Sequence, residues 1–189
     1  MSIRVLHFGL GPVGAAVARQ IAHRQGFRSV GAIDIDRLKV GRDLGEIAGL
    51  NKRLGVKVSG DAAKALKAAR PDVVVLCTSS SLKSVMPQID TILKRKVAIV
   101  STTEELSYPV GKNRALAKKI DAMAKRAKVA VVGTGVNPGF AMDALPIMLT
   151  GICERVDSIR VDRILQSNRK TEPSEQPLHS FRARRVEHS

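Results

Sequence analysis

The chain has 189 residues, 44% of them hydrophobic but only 3% aromatic with no Trp, and it carries a formal net charge of +15. Such a chain can bury a proper core filled by aliphatic side chains, yet it offers no base-stacking platform for single-stranded nucleic acid and no apolar run of membrane-spanning length. The two cysteines, Cys77 and Cys153, have neither C-x-x-C nor metal-ligand spacing, so they read as buried free thiols of a reducing compartment, and no metal site is expected.

Taken in chain order, Ile3 to Phe8 is a short apolar run that predicts a buried strand. Arg4, His7 and the glycines beyond it interrupt any signal-peptide core, which places the protein in the cytoplasm. The strand runs into Gly9-Leu10-Gly11-Pro12-Val13-Gly14, a G-x-G-x-x-G, and then into a helical pattern marked by Val13, Val17 and Ile21. That order suits a dinucleotide. Gly9 permits the tight turn, Gly11 lets a pyrophosphate approach the backbone, and Gly14 lets helix and strand pack closely. Pro12 fits the first helical turn, whose free N–H groups and positive dipole end face the phosphates. Ser29 to Ile33 predicts the next strand. It ends in Asp34, twenty residues after Gly14, where a carboxylate accepts hydrogen bonds from the adenosine ribose hydroxyls.

A loop and short helix follow up to Gly45, then a short strand over Val56 to Ser59. Asp61 is placed to cap a helix from Ala62 to Ala69, stopped by Pro71. Asp72 to Cys77 is apolar after its first residue, as a parallel strand covered on both faces would be. Thr78 and Ser79 follow it, then a helix marked by Leu82, Val85, Met86, Ile89, Ile92 and Leu93. Val97 to Val100 is another strand, followed by Thr102 and Thr103. Thr102 and Glu105 have capping-box spacing, which predicts a short helix. A basic helix with Leu116, Ile120, Met123 and Ala127 on one face leads to a strand over Val129 to Val132.

This alternation predicts an α/β fold, a doubly wound parallel sheet of the Rossmann type. Ligands in such sheets sit at the C-terminal strand ends. Gly9 to Gly14, Asp34, Thr78, Ser79, Thr102 and Thr103 all fall there, and each Ser or Thr is also a candidate helix cap. So does the loop Gly133 to Gly139, where Gly135 and Asn137 are placed for the nicotinamide end. Pro146 falls inside the helical pattern beyond it and is expected to kink that helix or end its first part. The lysines and arginines are spread along the chain, so solvated helix faces and attraction for an anionic cofactor account for the charge, and nucleic acid is not the expected partner.

The glycine turn, the Thr102-Thr103 pair and the run Gly133-Thr-Gly-Val-Asn-Pro-Gly-Phe-Ala-Met-Asp143 resemble the dihydrodipicolinate-reductase-like superfamily. With Leu145-Pro146, Leu149-Thr150-Gly151 and Cys153, the run is most similar to its 2,4-diaminopentanoate dehydrogenase branch. The resemblance covers about Ile3 to Arg163. It implies an NAD(P)-dependent oxidoreductase, acting on a small amino acid-like substrate and assembling as a homo-oligomer. The acid at Asp34 favours NAD over NADP. The His-His-x-x-Lys motif of true dihydrodipicolinate reductases is absent, so the lysine-biosynthetic reduction stands as the alternative, beside a non-catalytic dinucleotide-binding module. No catalytic acid or base is assigned. The expected domains are a Rossmann domain over 1–152, the first strand of a truncated α+β substrate domain over 153–166, and a disordered tail over 167–189.

Overall fold

The computed structural model describes residues 2–109, 111–136 and 139–162. Its elements are β1 (Ile3–Phe8), α1 (Pro12–His23), β2 (Phe27–Ile33), α2 (Leu44–Ile47), β3 (Val58–Ser59), α3 (Ala62–Ala69), β4 (Val73–Leu76), α4 (Leu82–Leu93), β5 (Ala98–Ser101), α5 (Glu104–Ser107), α6 (Arg114–Ala127), β6 (Val131–Gly133) and α7 (Leu145–Leu149). The strands form one all-parallel sheet in the order β3-β2-β1-β4-β5-β6. The chain leaves β1 toward one edge and resumes at β4 toward the other. The point of reversal, between β1 and β4, is where such sheets open a crevice beyond their strand ends.

Side-chain alternation assigns the two faces. Leu6, Phe8, Val74, Leu76 and Ile99 bury against Leu66 of α3, Val85, Ile89 and Ile92 of α4, and Ile120 of α6. The opposite face carries Ala32 and Val58, packed with Ala18 of α1, Leu44 of α2 and Ala48. On this second face β4 and β5 are less covered than their apolar sequence predicts. Val73, Val75, Ala98 and Val100 are half-buried, and Val132 of β6 is exposed.

Local signals explain most element ends. Asp61 caps α3, its carboxylate accepting from the Lys64 N–H at 2.9 Å. Pro146 lies in the first turn of α7, after a π-helical turn over Phe140–Ala144, so it opens a helix rather than kinking one. The capping box at Thr102 does not form. Thr103 is the N-cap of α5 and makes no side-chain cap bond, while Glu105 instead accepts the Leu82 N–H at the start of α4, at 2.8 Å.

The described residues pack as two units, one ending at Gly135 and the other beginning at Val136. The second unit's opening turn is held by its own bonds, with the Gly139 N–H donating to Asp143 at 2.6 Å and the Ala141 N–H to the Val136 carbonyl at 2.7 Å. Residues 153–162 alternate in polarity as a strand would, and no described segment pairs with them; the rest of the expected 153–166 strand lies outside the described residues. Residues 163–189, with the expected tail, lie outside the described residues. Both cysteines are free, but Cys153 is exposed and Cys77 half-buried, so the expectation of two buried thiols is corrected. No helix among the described residues is long and apolar enough to cross a membrane.

Candidate functional site

The glycine turn lies at the sheet's reversal point. Gly9 takes φ +89°, in the left-handed region, and a Cβ there would lie 2.6 Å from the Cys77 carbonyl oxygen at the end of β4. Its N–H donates to the Ile33 carbonyl of β2 at 2.9 Å, so this residue joins the ends of three strands. Gly14, in the first turns of α1, is closer still: a Cβ would sit 1.9 Å from the Gly9 carbonyl oxygen. Only glycine lets α1 start this near the strand it leaves. Gly11 is different. It is the N-cap of α1, and a Cβ there would meet no atom within 4 Å. The missing side chain leaves open space, not a packing contact. Pro12 occupies the first turn of α1, and Pro12 and Val13 are both exposed.

Asp34 is buried and already bonded. One carboxylate oxygen accepts the Leu10 N–H of the glycine turn at 2.7 Å and the other the Asp36 N–H at 2.9 Å. Lys39 Nζ lies 3.6 Å from Asp34 and 3.3 Å from Asp36. The carboxylate therefore ties the glycine turn to the loop after β2. Each of its oxygens still has capacity for a second hydrogen bond. The N–H of Leu38, followed by the Lys39 ammonium, holds the Asp36 carboxyl below its ordinary range.

A cavity of about 450 Å³ opens between these parts, lined by Gly11, Pro12 and Ala15 on one side and by Asp36, Lys39 and Arg42 on the other. Asp34 itself does not line it but fixes Leu10 and Asp36, which do. Asp36 is the lining residue that the spacing rule misses. That rule looks for one acid at the strand end, and the signal for the others is the charged run Asp36-Arg37-Leu38-Lys39 that follows.

The Ser and Thr residues after β4 and β5 divide by role. Thr78 is exposed and its hydroxyl donates to the Gln88 side chain of α4. Ser79 is half-buried, its hydroxyl accepting the Ser81 N–H at 3.1 Å. Thr102 is half-buried beside Cys77; burial pushes the Cys77 thiol up, and the Thr102 side chain pulls the other way. Thr103 is fully buried. Its hydroxyl donates to the Ser79 carbonyl at 2.9 Å and lies 2.9 Å from the Ser101 hydroxyl. The Thr103 hydroxyl thus latches the loop after β5 to the loop after β4. The Thr134 N–H donates to the Ser101 carbonyl at 2.8 Å, carrying the chain from β6 to Gly135 along the same edge. Asn137 lies outside the described residues.

A family model described as the N-terminus of dihydrodipicolinate reductase matches residues 3–132. The chain is 33% identical to the 2,4-diaminopentanoate dehydrogenase of Acetoanaerobium sticklandii, over 86% of this chain and 46% of that protein. It is 27% identical to an amine dehydrogenase of Streptomyces virginiae, over 90% of this chain and 48% of the relative. Among solved structures, the amine dehydrogenase of Mycobacterium smegmatis superposes with a TM-score of 0.74 at 33% identity, covering 83% of this chain and 46% of that one. The chain thus spans about half the length of the curated relatives it matches.

Proposed function

The chain belongs to the dihydrodipicolinate reductase N-terminal family, and from that premise we propose that it is the dinucleotide-binding part of an NAD(P)-dependent dehydrogenase acting on an amine or amino acid. The observation that carries this reading is the glycine turn at the reversal point: Gly14 packed against Gly9 with no room for a methyl group, and Gly11 opening onto a cavity of about 450 Å³. The relatives named amine and diaminopentanoate dehydrogenase suggest the substrate class.

In this reading the N–H groups of Gly11, Pro12's neighbour Val13 and Gly14 face the pyrophosphate, where the positive end of α1 adds to the attraction. Asp34 accepts from the adenosine ribose while holding the turn. Thr78 and Ser79 lie by the cofactor's middle, Thr102 by the nicotinamide ribose, and Gly135 and Asn137 toward the nicotinamide. Thr103 acts as a positioning residue through Ser79. The nicotinamide, when bound, takes or gives the hydride. The described residues at this edge bind and orient: the carboxylates of Asp34 and Glu105 are engaged by N–H groups, and the Cys77 thiol is pushed away from ionisation. The chain's contribution is cofactor binding, and turnover by these residues alone is not expected. The free cysteines suit the reducing conditions of the cytoplasm.

NADH is expected to bind at least as well as NADPH, because the Asp34 carboxylate accepts from free ribose hydroxyls and repels a 2′-phosphate. Lys39 and Arg42 on the cavity wall soften that preference. The test is a fluorescence titration of the chain and of Asp34→Ala with both reduced cofactors. Loss of the turn contact weakens both cofactors alike, so the ratio of affinities isolates the ribose. The ratio should move toward NADPH in the variant. A strong NADPH preference in both proteins would overturn the assignment.

A further inference from the structure

Of the residues with a left-handed backbone that are not glycine, Arg70 has φ 42°, Lys96 φ 56° and Lys128 φ 57°. Each occupies the turn from a helix to the next strand: Arg70 between α3 and β4, Lys96 between α4 and β5, Lys128 between α6 and β6. Glycine or asparagine is the favoured occupant of such a turn, and a longer side chain there is disfavoured. For Arg70 and Lys128 helix-dipole stabilisation is already supplied, since α3 has Lys67 in its last turn and α6 has Lys125 and Arg126, whereas α4 has no basic residue in its last turn.

Topology collects these groups. In a parallel sheet every helix-to-strand turn lies at the N-terminal strand edge, opposite the glycine turn. Arg28 near the start of β2, Arg70, Arg95, Lys96 and Lys128 therefore share one edge, and all are exposed. Adjacent strands are about 4.8 Å apart, so the row from β2 to β6 is about 20 Å long. None of these five has an acidic partner among the described residues. Of the described acids near this edge, Asp72 accepts the Arg4 N–H at 2.7 Å and Asp90, near the end of α4, pairs with Lys94 at 2.6 Å. The opposite edge holds Asp34, Asp36, Glu104 and Glu105. The positive charge, read from the sequence as spread over solvated helix faces, is concentrated in part on one line.

We propose that this cationic edge is a second binding surface, independent of the cofactor site, for the phosphate backbone of double-stranded nucleic acid. A line of cations matches a line of phosphates, and aromatics too few for base stacking point to duplex backbone contact rather than unpaired bases. A membrane surface fits less well. The helices meet this edge end-on and present no apolar side to lipid, and the exposed apolar residues there are Ile3 and Phe27.

The left-handed turns supply the variant for the test. Arg70→Gly, Lys96→Gly and Lys128→Gly together remove three charges and place glycine where the backbone favours it, so the fold is retained. Binding of the full chain to a labelled random duplex is followed by anisotropy from about 50 to 200 mM salt. The wild-type chain should bind at low salt with a log–log slope between about −3 and −5, and the triple variant should lose about three from that slope and at least 30-fold in affinity at low salt, with its thermal midpoint unchanged or raised. No binding by the wild-type chain, an unchanged slope in the variant, or equal binding to phosphatidylserine-containing vesicles would overturn the proposal.

Discussion

At Gly14 the fold leaves no room for a methyl group. The obstacle is the Gly9 carbonyl oxygen, which a Cβ would approach to 1.9 Å, and not a movable side chain, so relief requires α1 to shift from β1. Gly14→Ala should cost about 2–3 kcal/mol of stability, read as a lowered denaturant midpoint with little change in slope; an unchanged midpoint would show that the helix start is not packed this way. His7 on β1 makes a second residue-scale prediction. It is fully buried, its Nε2 lies 3.0 Å from the Ser29 hydroxyl, its Nδ1 has no partner among the described residues, and burial lowers its pKa to about 4. Between about pH 6.5 and 4 the unfolded chain takes up a proton that the folded chain refuses. His7 therefore costs nothing above pH 6.5, costs progressively more as pH falls, and levels off near 3 kcal/mol below pH 4. Unfolding at stepped pH should show this slope already between pH 6.5 and 5, before carboxylates titrate, and His7→Gln should flatten it. The tight turn at Gly9 and the close packing at Gly14 were legible in the sequence because each follows from a backbone constraint at fixed spacing. The fate of the Thr103 hydroxyl was not, because its acceptor, the Ser79 carbonyl, is set by how two loops meet.

Strand and helix alternation was legible because buried parallel strands read as short apolar runs and their covering helices as three- and four-residue spacing. Strand ends moved by one or two residues: Val129 to Val132 was expected where β6 covers Val131–Gly133. Glu105 shows why caps mislead. Its spacing from Thr102 suggested a local capping box, but the N–H it accepts is that of Leu82, on another element. The carboxylate thus fastens the start of α4 to α5. Glu105→Ala should cost about 1 kcal/mol by leaving the N–H of a buried residue unpaired, and Glu105→Gln should restore much of it. Equal loss in both variants would assign the effect to charge rather than to the hydrogen bond. The residues from 153 mark the limit of pattern reading: alternation describes a strand's faces but cannot name its partner strand.

Across the whole molecule the two ends of the sheet differ in chemistry. The C-terminal edge gathers the glycine turn, Asp34, Thr78, Ser79 and Thr102, and the N-terminal edge gathers cations held in left-handed turns. The order of strands accounts for both, since it decides which turns become neighbours; the alternation predicts a doubly wound parallel sheet but does not by itself give that order. We propose that the open space at Gly11 receives a dinucleotide, and Gly11→Val tests this most directly. No protein atom lies within 4 Å of the added Cβ, so the variant should fold, losing no more than about 1 kcal/mol for a poorer N-cap. Titrated with NADH and followed by cofactor fluorescence, the wild-type chain should bind and Gly11→Val should not, while their unfolding midpoints stay close. Unchanged NADH affinity in Gly11→Val would contradict the account.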